Sequence, residues 1–525
     1  MIKKVVLYPF LFVLYVILIP LTINLDQVDP ALAVRPLVVL LSFTAAILLL
    51  LNLIFRDWHF AGYLVFLLLA FVFVFGHLWR LLQEHVQDPY TSRLVLLGIW
   101  GFLLVILGAR RVWQRLGGAG RLTPLLNLLF SAAIVSQILF TLPALVREPA
   151  RLVSASAQIA GFGSRVQLDC TRSPDIYYII LDAYGRSDVL AEFYGVDNRA
   201  FLESLERKGF FIADQSHTNY IQTIFSVASS LNMDYVGPNP PGVSGRDYFT
   251  RLIAANRLAD SLKECGYRTI AFQSGFFFTD HPVVDLYLSR GSWLNEFESL
   301  VVADTPLSML VDRLNLMNQG QGYQAHRERV TFTFEQLGNL ASKPGPKFVF
   351  AHILSPHPPF VFDAQGQPIE PPRGYSIGDG DDFRGSWEEY RLGFAGQVQF
   401  VDRMLAQTID KILAESESPP VIILQGDHGP GGKLDWDSPS TTCLAERTSI
   451  LNAYYLPGDG SELLYPEISP VNSFRVILDE YFNAGLDLLP DKTYFTSHRL
   501  ERQVIDVSAE RNSPANCAPP ATASP

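Results

Sequence analysis

Three apolar segments of the chain end on side chains that bind metals or transfer protons. Asp182 ends the run YYIILD, His357 ends FVFAHILSPH, and Asp427 and His428 follow VIILQG. Two carboxylates with one neutral imidazole form a ligand set that suits a hard or borderline divalent cation. The glycines on either side of the Asp427-His428 pair allow a sharp turn and a close approach of the backbone to an ion. The pattern indicates a metal site, although a turn alone would also explain the GDHG segment.

A fourth segment, NYIQTIFSVASSLN at residues 219–232, changes from a polar stretch into a helix-like run of small and apolar residues. A hydroxyl in the first turn of a helix lies beside free N–H groups and the positive end of the helix dipole, which suits an anionic substrate. A bound metal can also hold such a hydroxyl as a nucleophilic alkoxide. Thr223 and Ser226 are both candidates for this role, and the competing interpretation of Thr223 is a simple N-cap.

The elements that would position these residues alternate between strands and helices. Buried-strand runs include DIYYIILDA, RTIAFQS, KFVFAHILSP, PPVIILQGD and SILNAYYLP, and DYFTRLIAANRLADSLKECG is predicted as one helix that ends at a glycine. This alternation predicts an α/β domain with a mostly parallel sheet that helices cover on both faces. In such sheets, functional residues collect at the carboxyl ends of the strands, where the residues above are expected.

The first part of the chain is different, because it holds five apolar blocks of the length that crosses about 30 Å of hydrocarbon. These blocks lie at about residues 5–24, 36–55, 60–79, 94–109 and 122–142. One apolar block can belong to a soluble core, but five in succession predict a transmembrane bundle. The spans hold few charged residues, whereas transport sites usually place ionisable groups in mid-membrane, so a transporter is disfavoured.

Charges between the blocks predict how the bundle is oriented. Acidic residues dominate two loops, and basic residues precede the first block or occupy the other two loops: Lys3, Lys4, Arg56, Arg110, Arg111, Arg115 and Arg121. The positive-inside rule then places the N-terminus in the cytoplasm and everything after the fifth block outside. We therefore expect a multi-pass protein of the plasma (inner) membrane with an extracytoplasmic C-terminal part.

The expected domain plan has four parts. Residues 1–145 form the five-helix bundle, 146–173 a linker, 174–507 the catalytic domain and 508–525 a disordered tail. The net charge of −11 argues against nucleic acid as a partner. The four cysteines have no metal-type spacing and allow three pairings, among which the sequence does not choose. We expect one disulfide or none.

The ordered set of motifs resembles a known family. Asp182 after a YYIIL strand, Thr223 at the head of a helix, the SPHPPF segment and then GDHG follow one another as in the alkaline phosphatase superfamily. The resemblance is closest to the sulfatase-type branch that contains lipoteichoic acid synthase and the phosphoethanolamine transferases. Those proteins also have five spans followed by an outer catalytic domain. The resemblance covers the whole architecture, but it is specific only at these four short motifs.

The resemblance implies a role for each matching residue. Asp182, Asp427 and His428 would bind one divalent metal ion (Mn, Zn, Mg or Ca), with Thr223 as fourth ligand and nucleophile. The TIFSV segment has the same Thr-x-x-Ser-apolar look as the corresponding stretch of the phosphoethanolamine transferases, which favours Thr223 over Ser226.

Further residues have less specific expectations. His357 would donate to the phosphate or the leaving group, and its alternative is a capping or core-edge histidine. His352 reads as structural, and its alternatives are a second-metal ligand, a supporting role or a contact to the substrate. Arg447 would pair with an anion or lie on the surface, and Asn219 would line the substrate pocket, together with Tyr220.

Two departures bear on the substrate. The first ligand is Asp182, where lipoteichoic acid synthases have Glu, and no Cys-x-Pro-x-Arg or Ser-x-Pro-x-Arg motif surrounds Thr223. The predicted function is a membrane-anchored, metal-dependent phosphotransferase that acts on a lipid- or glycan-linked phosphodiester and passes the group to a glycan or lipid acceptor. The alternatives are a phosphate- or sulfate-ester hydrolase and a non-catalytic envelope binding protein.

Overall fold

The computed structural model describes residues 5–23, 33–82, 89–159, 165–238, 245–280, 283–290, 298, 301–302, 305–307, 322–369, 383, 385–497 and 504–517. The chain divides into two compact units. Met1–Leu152 and Gly291–Gly320 form the helical unit, and Val153–Arg290 and Gln321–Pro525 form the α/β unit.

The described helices of the first part are α1 (Tyr8–Ile23), α2 (Val34–Phe55), α3 (Trp58–Leu82), α4 (Pro89–Gly108), α5 (Arg110–Arg115) and α6 (Gly118–Ile159). Three stretches are long and apolar enough to cross a membrane: Val34–Phe55, Trp58–Leu78 and Gly118–Leu139. The other two predicted spans are helical, but their apolar stretches, Tyr8–Thr22 and Ser92–Gly108, are shorter than the about 20 residues of a full crossing. Among the described residues, the structure thus gives three full-length candidate spans where the sequence predicted five.

Aromatic side chains pack between the helices of this unit. Phe12 contacts Phe66 and Phe130 edge to face, with ring centroids 5.4 and 5.2 Å apart. Such geometry is favourable beyond the area that it buries. The predicted linker at 146–173 is wrong in its first half, since α6 continues to Ile159. Small residues such as those of SASAQ have adequate helix propensity and can extend a helix that has already begun.

The α/β unit contains a seven-stranded sheet in the order β2-β7-β6-β1-β5-β3-β4. Its strands are β1 (Ile176–Leu181), β2 (Phe211–Ile212), β3 (Arg268–Phe272), β4 (Leu286–Leu288), β5 (Lys347–Ile353), β6 (Val421–Gly426) and β7 (Asn452–Tyr455). β1 pairs in parallel with both β5 and β6, and only β7 and β2 join through antiparallel pairs. The prediction of a mostly parallel sheet is confirmed. A separate antiparallel pair joins β8 (Tyr494–Thr496) and β9 (Val504–Asp506).

Both faces of this sheet are covered, since every residue of β1 is buried. Ile176, Tyr178 and Ile180 enter one apolar cluster, and the alternate residues enter the other. The helices are α7 (Arg199–Glu206), α8 (Thr223–Asn232), α9 (Gly245–Ala254), α10 (Arg257–Glu264), α11 (Tyr323–Asn339), α12 (Trp387–Glu415), α13 (Leu444–Thr448) and α14 (Pro470–Phe482). Helical turns at Ser187–Val189, Leu190–Tyr194, Phe277–Thr279 and Gly460–Leu463 complete the described elements.

The helix predicted across DYFTRLIAANRLADSLKECG is two helices, α9 and α10. Asn256 interrupts it with extended backbone, and its side chain accepts a hydrogen bond from the backbone N–H of Ala259 at 2.8 Å. An asparagine at this position satisfies one of the free N–H groups that begin a helix. The local cap therefore outweighs the continuous apolar periodicity.

Two disulfides tie the α/β unit, so the expectation of one or none is wrong. Cys170 bonds to Cys265, and Cys443 bonds to Cys517. The second bond holds the segment that was predicted to be disordered: residues 508–517 form turns, and Cys517 is buried. The Pro/Ala/Ser-rich composition predicts disorder because it offers few apolar contacts. Here the covalent link takes the place of those contacts. Residues 518–525 lie outside the described part.

Candidate metal centre

The parallel register places the predicted ligands at one edge of the sheet. Leu181, the last residue of β1, pairs with Gly426 of β6 on one side and with Ile353 of β5 on the other. Asp182 and Asp427 are the next residues of their strands. Because parallel strands end at the same edge, residues far apart in the sequence become neighbours there. The sequence-based grouping of strand ends is thus reproduced by the sheet.

Asp182, Asp427 and His428 form a compact group of possible ligands. One ligand atom from each lies within 4.8 Å of the others. Nε2 of His428 is 3.6 Å from Oδ1 of Asp182 and 3.4 Å from Oδ2 of Asp427. All three residues are only 2% exposed.

The polar atoms of this group are not all satisfied by the protein. Oδ1 of Asp182 and Oδ2 of Asp427 are buried and make no hydrogen bond within the described residues. Burying a charged group without a partner is costly, and buried carboxylates are normally paired or bound to a metal. The donor set and its two unpartnered oxygens therefore fit a divalent cation, as the sequence predicted.

His428 is oriented for such a role by its own loop. Its Nδ1 lies 3.0 Å from the carbonyl oxygen of Gly429 and donates to it, which leaves the Nε2 lone pair directed at the carboxylates. Burial, with the positive charge of Arg447, lowers the pKa of His428 to about 4. The imidazole is therefore neutral near pH 7, the form that binds metals.

Thr223 is the first residue of α8, and the N-cap position belongs to Gln222. Its Oγ1 lies 3.1 Å from Nε2 of His428. Ser226, the other candidate nucleophile, is buried, and its Oγ lies 3.3 Å from Oγ1 of Thr218. The structure therefore brings Thr223 to the group, while Ser226 packs within the protein.

His352 lies beside the group rather than apart from it. Its Nε2 is 3.3 Å from Oδ2 of Asp182, and its Nδ1 is 3.0 Å from Oγ1 of Thr279. Burial lowers the pKa of His352, but the neighbouring Asp182 carboxylate outweighs this and raises it above the ordinary value. Burial likewise raises the pKa of Asp182, and the surrounding histidines, His357 first, bring it below its usual range. His352 is thus placed to support Asp182, which was an alternative to the purely structural role predicted first.

The contact between His352 and Thr279 was missed by sequence reasoning. Thr279 ends a short turn in the segment FFFT, and nothing in its spacing relates it to His352, which lies 73 residues later. Only the pairing of β3 with β5 brings these two segments together.

His357 is half-buried in the loop after β5. Its backbone N–H donates to the carbonyl of Asp182 at 3.0 Å, and its ring centroid lies 6.5 Å from that of His428. Nδ1 contacts the carbonyl of Pro358, so Nε2 is the nitrogen left for a ligand. The loop therefore fixes the histidine next to the candidate metal ligands.

Asn219 and Arg447 are both buried, which bears on their predicted roles. Asn219 is fully buried, and its side chain bonds to Ser469, Lys492 and the backbone N–H of Val471, so it holds the start of α14 rather than lining a pocket. Tyr220 is buried as well. Arg447 is only 3% exposed, which excludes the surface alternative.

The comparison with protein families gives a match over most of the α/β unit. A family model described as Sulfatase matches residues 174–467, more than half of the chain. The match defines a sulfatase-like enzyme. The chain belongs to the sulfatase family. No curated protein sequence matches it.

Solved structures with a similar fold include three bacterial proteins. The periplasmic domain of EcEptC from Escherichia coli, in complex with Zn, is 13% identical with a TM-score of 0.42, over 65% of this chain and 96% of that chain. The phosphoethanolamine transferase EptA of Neisseria meningitidis is 12% identical with a TM-score of 0.37, over 90% and 94%. The lipoteichoic acid synthase LtaP of Listeria monocytogenes is 14% identical with a TM-score of 0.35, over 59% and 73%.

Proposed function

We propose that the protein is a membrane-anchored, metal-dependent phosphotransferase with Thr223 as its nucleophile. The observation that carries the proposal is the 3.1 Å approach of Thr223 Oγ1 to His428 Nε2, within a group that also holds Asp182 and Asp427. A partly exposed hydroxyl at a helix start, beside two unpartnered carboxylate oxygens, is the arrangement that covalent phosphoryl transfer requires.

Asp182, Asp427, His428 and Thr223 would hold one divalent cation. A cation bound there supplies Lewis-acid chemistry, because it lowers the pKa of a coordinated hydroxyl and stabilises negative charge on phosphoryl oxygens. The neutral state of His428 and its Nδ1 bond to Gly429 keep the Nε2 lone pair available for this role.

In the first step Thr223 Oγ1 releases its proton to solvent and bonds to phosphorus, and the bond from phosphorus to the leaving oxygen breaks. The positive end of α8 lies beside the transferred group and stabilises its charge. His357 Nε2 is the group that we assign to protonate the leaving oxygen. In the second step an acceptor hydroxyl returns a proton to His357 Nε2 and attacks phosphorus, and the phosphorus–Oγ1 bond breaks to release Thr223, which regains its proton from solvent.

The donor we infer is a lipid- or glycan-linked phosphodiester, and the acceptor is a glycan or lipid. The apolar helices of the first unit support this choice, because they would keep the enzyme at a membrane where such donors lie. A hydrolase that uses water as acceptor is the second candidate. The formylglycine route of true sulfatases is disfavoured, since Thr223 stands where that route needs Cys or Ser.

We also infer a cytoplasmic N-terminus and an outer α/β unit in the plasma (inner) membrane. The basic residues before the first apolar block and in the loops after the second and fourth blocks support this topology.

The enzymatic test uses purified full-length protein with Zn²⁺ or Mn²⁺ and an aryl phosphodiester. Turnover that depends on the added metal and yields a phosphorylated Thr223 peptide by mass spectrometry is expected. A product that gains mass from an added glycan acceptor indicates a transferase, and free phosphate monoester alone indicates the hydrolase. Metal-independent turnover, or none, would refute the proposal.

The topological test fuses an enzyme reporter after Pro525. A reporter that is active only outside the membrane is expected. Activity only in the cytoplasm would overturn the charge argument and the outer placement of the α/β unit together.

A further inference from the structure

The side chain of Arg447 donates hydrogen bonds to two backbone carbonyls. Its Nε and Nη2 donate to the carbonyl of Ile221 at 2.9 and 2.7 Å, and its Nη1 donates to the carbonyl of Gly429 at 3.0 Å. The buried guanidinium also lies 5.3 Å from the ring of Trp436. One side chain therefore bridges two loops that are far apart in the sequence.

Each of these two carbonyls belongs to a loop of the candidate metal centre. Ile221 stands two residues before Thr223, in the turn that begins α8. Gly429 follows His428, and its carbonyl is the same one that accepts from His428 Nδ1. Arg447 thus connects the start of the nucleophile helix to the atom that orients the imidazole.

The backbone strengthens this connection. The N–H of Gly429 donates to the carbonyl of Arg447 at 2.8 Å. A Cβ added at Gly429 would lie 2.1 Å from the carbonyl oxygen of Glu446, so the loop lies directly on α13. The loop that carries His428 is held by α13 through the backbone and through the Arg447 side chain.

We propose that Arg447 is a positioning residue that sets the distance between Thr223 Oγ1 and His428 Nε2. A planar guanidinium can serve both carbonyls at once, with two N–H groups on one and a third on the other, which an ammonium on a flexible stem cannot reproduce. The proposal rests on the proposed metal centre and deepens it. It predicts that loss of the bridge weakens metal binding and the chemical step, with little effect on substrate binding.

The experiment compares Arg447→Met and Arg447→Lys with Arg475→Met in the full-length protein. Arg475 is the matched control, because it is also buried and donates from Nε to a carbonyl, that of Met233, at 2.9 Å. Met233 lies at the opposite end of α8 from Thr223. The measurements are the Kd for Zn²⁺ and for Mn²⁺ without substrate, kcat and KM for bis(4-nitrophenyl) phosphate, and the unfolding temperature.

Residues that orient a metal ligand typically contribute about 10- to 100-fold to affinity or activity. We expect Arg447→Met to lose that much in metal affinity and in kcat, with KM within about twofold of wild type. Arg447→Lys should recover only part of the loss, and it carries the test if Arg447→Met does not fold. Arg475→Met should lower the unfolding temperature while the folded protein keeps its metal affinity and kcat.

Wild-type metal affinity and kcat in folded Arg447 variants would overturn the positioning role and leave the proposed function standing. Equal losses in Arg475→Met would also overturn it, because the effect would then be general destabilisation. A wild-type protein that binds neither ion and turns over no diester would instead refute the proposed function itself.

Discussion

The two units of the protein distribute polar and apolar side chains in opposite ways. In the helical unit, large apolar residues face outward: Leu53 is 74% exposed and Val105 is 72% exposed. In the α/β unit, ionisable residues face inward: Asp182, Asp427 and His428 are each 2% exposed. Neither arrangement is stable in plain water without a partner. The first requires hydrocarbon around it, and the second requires a counter-charge inside it.

The difference separates two kinds of sequence signal. Exposed apolar helices are predicted by composition alone, because any residue of sufficient hydrophobicity satisfies a lipid surface. Buried carboxylates need particular neighbours, since an unpaired buried charge costs free energy and is retained where it binds something. The predictions below test whether the inward-facing polar group performs chemistry or only fills the core.

The largest effect is expected at the nucleophile. Thr223→Ala should reduce turnover of an aryl phosphodiester by at least about a thousandfold, because the covalent route loses its attacking oxygen. Steady-state kinetics measures the loss. Ser226→Ala is the matched control and should remain active. An active Thr223→Ala combined with an inactive Ser226→Ala would move the nucleophile to Ser226.

The next effect concerns metal retention. Asp427→Asn should weaken metal binding by at least about a hundredfold without unfolding the protein, because the amide is neutral but has nearly the same shape. Elemental analysis and thermal unfolding measure the two quantities. Asp402→Asn is the control, since Asp402 is a half-buried aspartate bonded to Tyr184 outside the ligand group. Unchanged metal content in Asp427→Asn would remove Asp427 from the site.

A smaller effect is expected at His357. His357→Gln should slow an alkyl phosphodiester by about a hundredfold and leave a 4-nitrophenyl diester nearly unchanged, because only the poor leaving group needs a proton. Comparison of kcat for the two substrates separates acid catalysis from substrate binding. Equal losses on both substrates would contradict the assigned role.

The smallest effect is expected at an outward-facing apolar residue of the helical unit. Leu53→Ala should change the stability of the detergent-solubilised protein by no more than about 0.5 kcal/mol, because this side chain faces outward. Leu405→Ala, at a fully buried helical position of the α/β unit, should cost about 2–5 kcal/mol. Thermal unfolding measures both. A large cost at Leu53 would mean that another protein surface covers it.

Much of the α/β fold could be predicted because its strands are strongly apolar. The runs that became β1, β5 and β6 are buried along their whole length, so their type was evident from composition. The break between α9 and α10 was not evident, because Asn256 ends an apolar periodicity that continues on both sides. The order of residues 508–517 was also hidden, since it depends on the Cys443–Cys517 bond.

The sequence by itself determined which residues could do chemistry. Asp182, Asp427 and His428 end or follow apolar strands, and Thr223 begins a helix, because strand and helix signals are local in the chain. Tertiary structure alone decided which of the remaining residues serve this group. Contacts between distant segments place His352 beside Asp182. They also place Arg447 between the loops that carry Thr223 and His428. Asn219 instead bonds to the start of α14. The physical reason is that hydrogen bonding of buried polar groups depends on which segments the sheet brings together, and no local pattern records that choice.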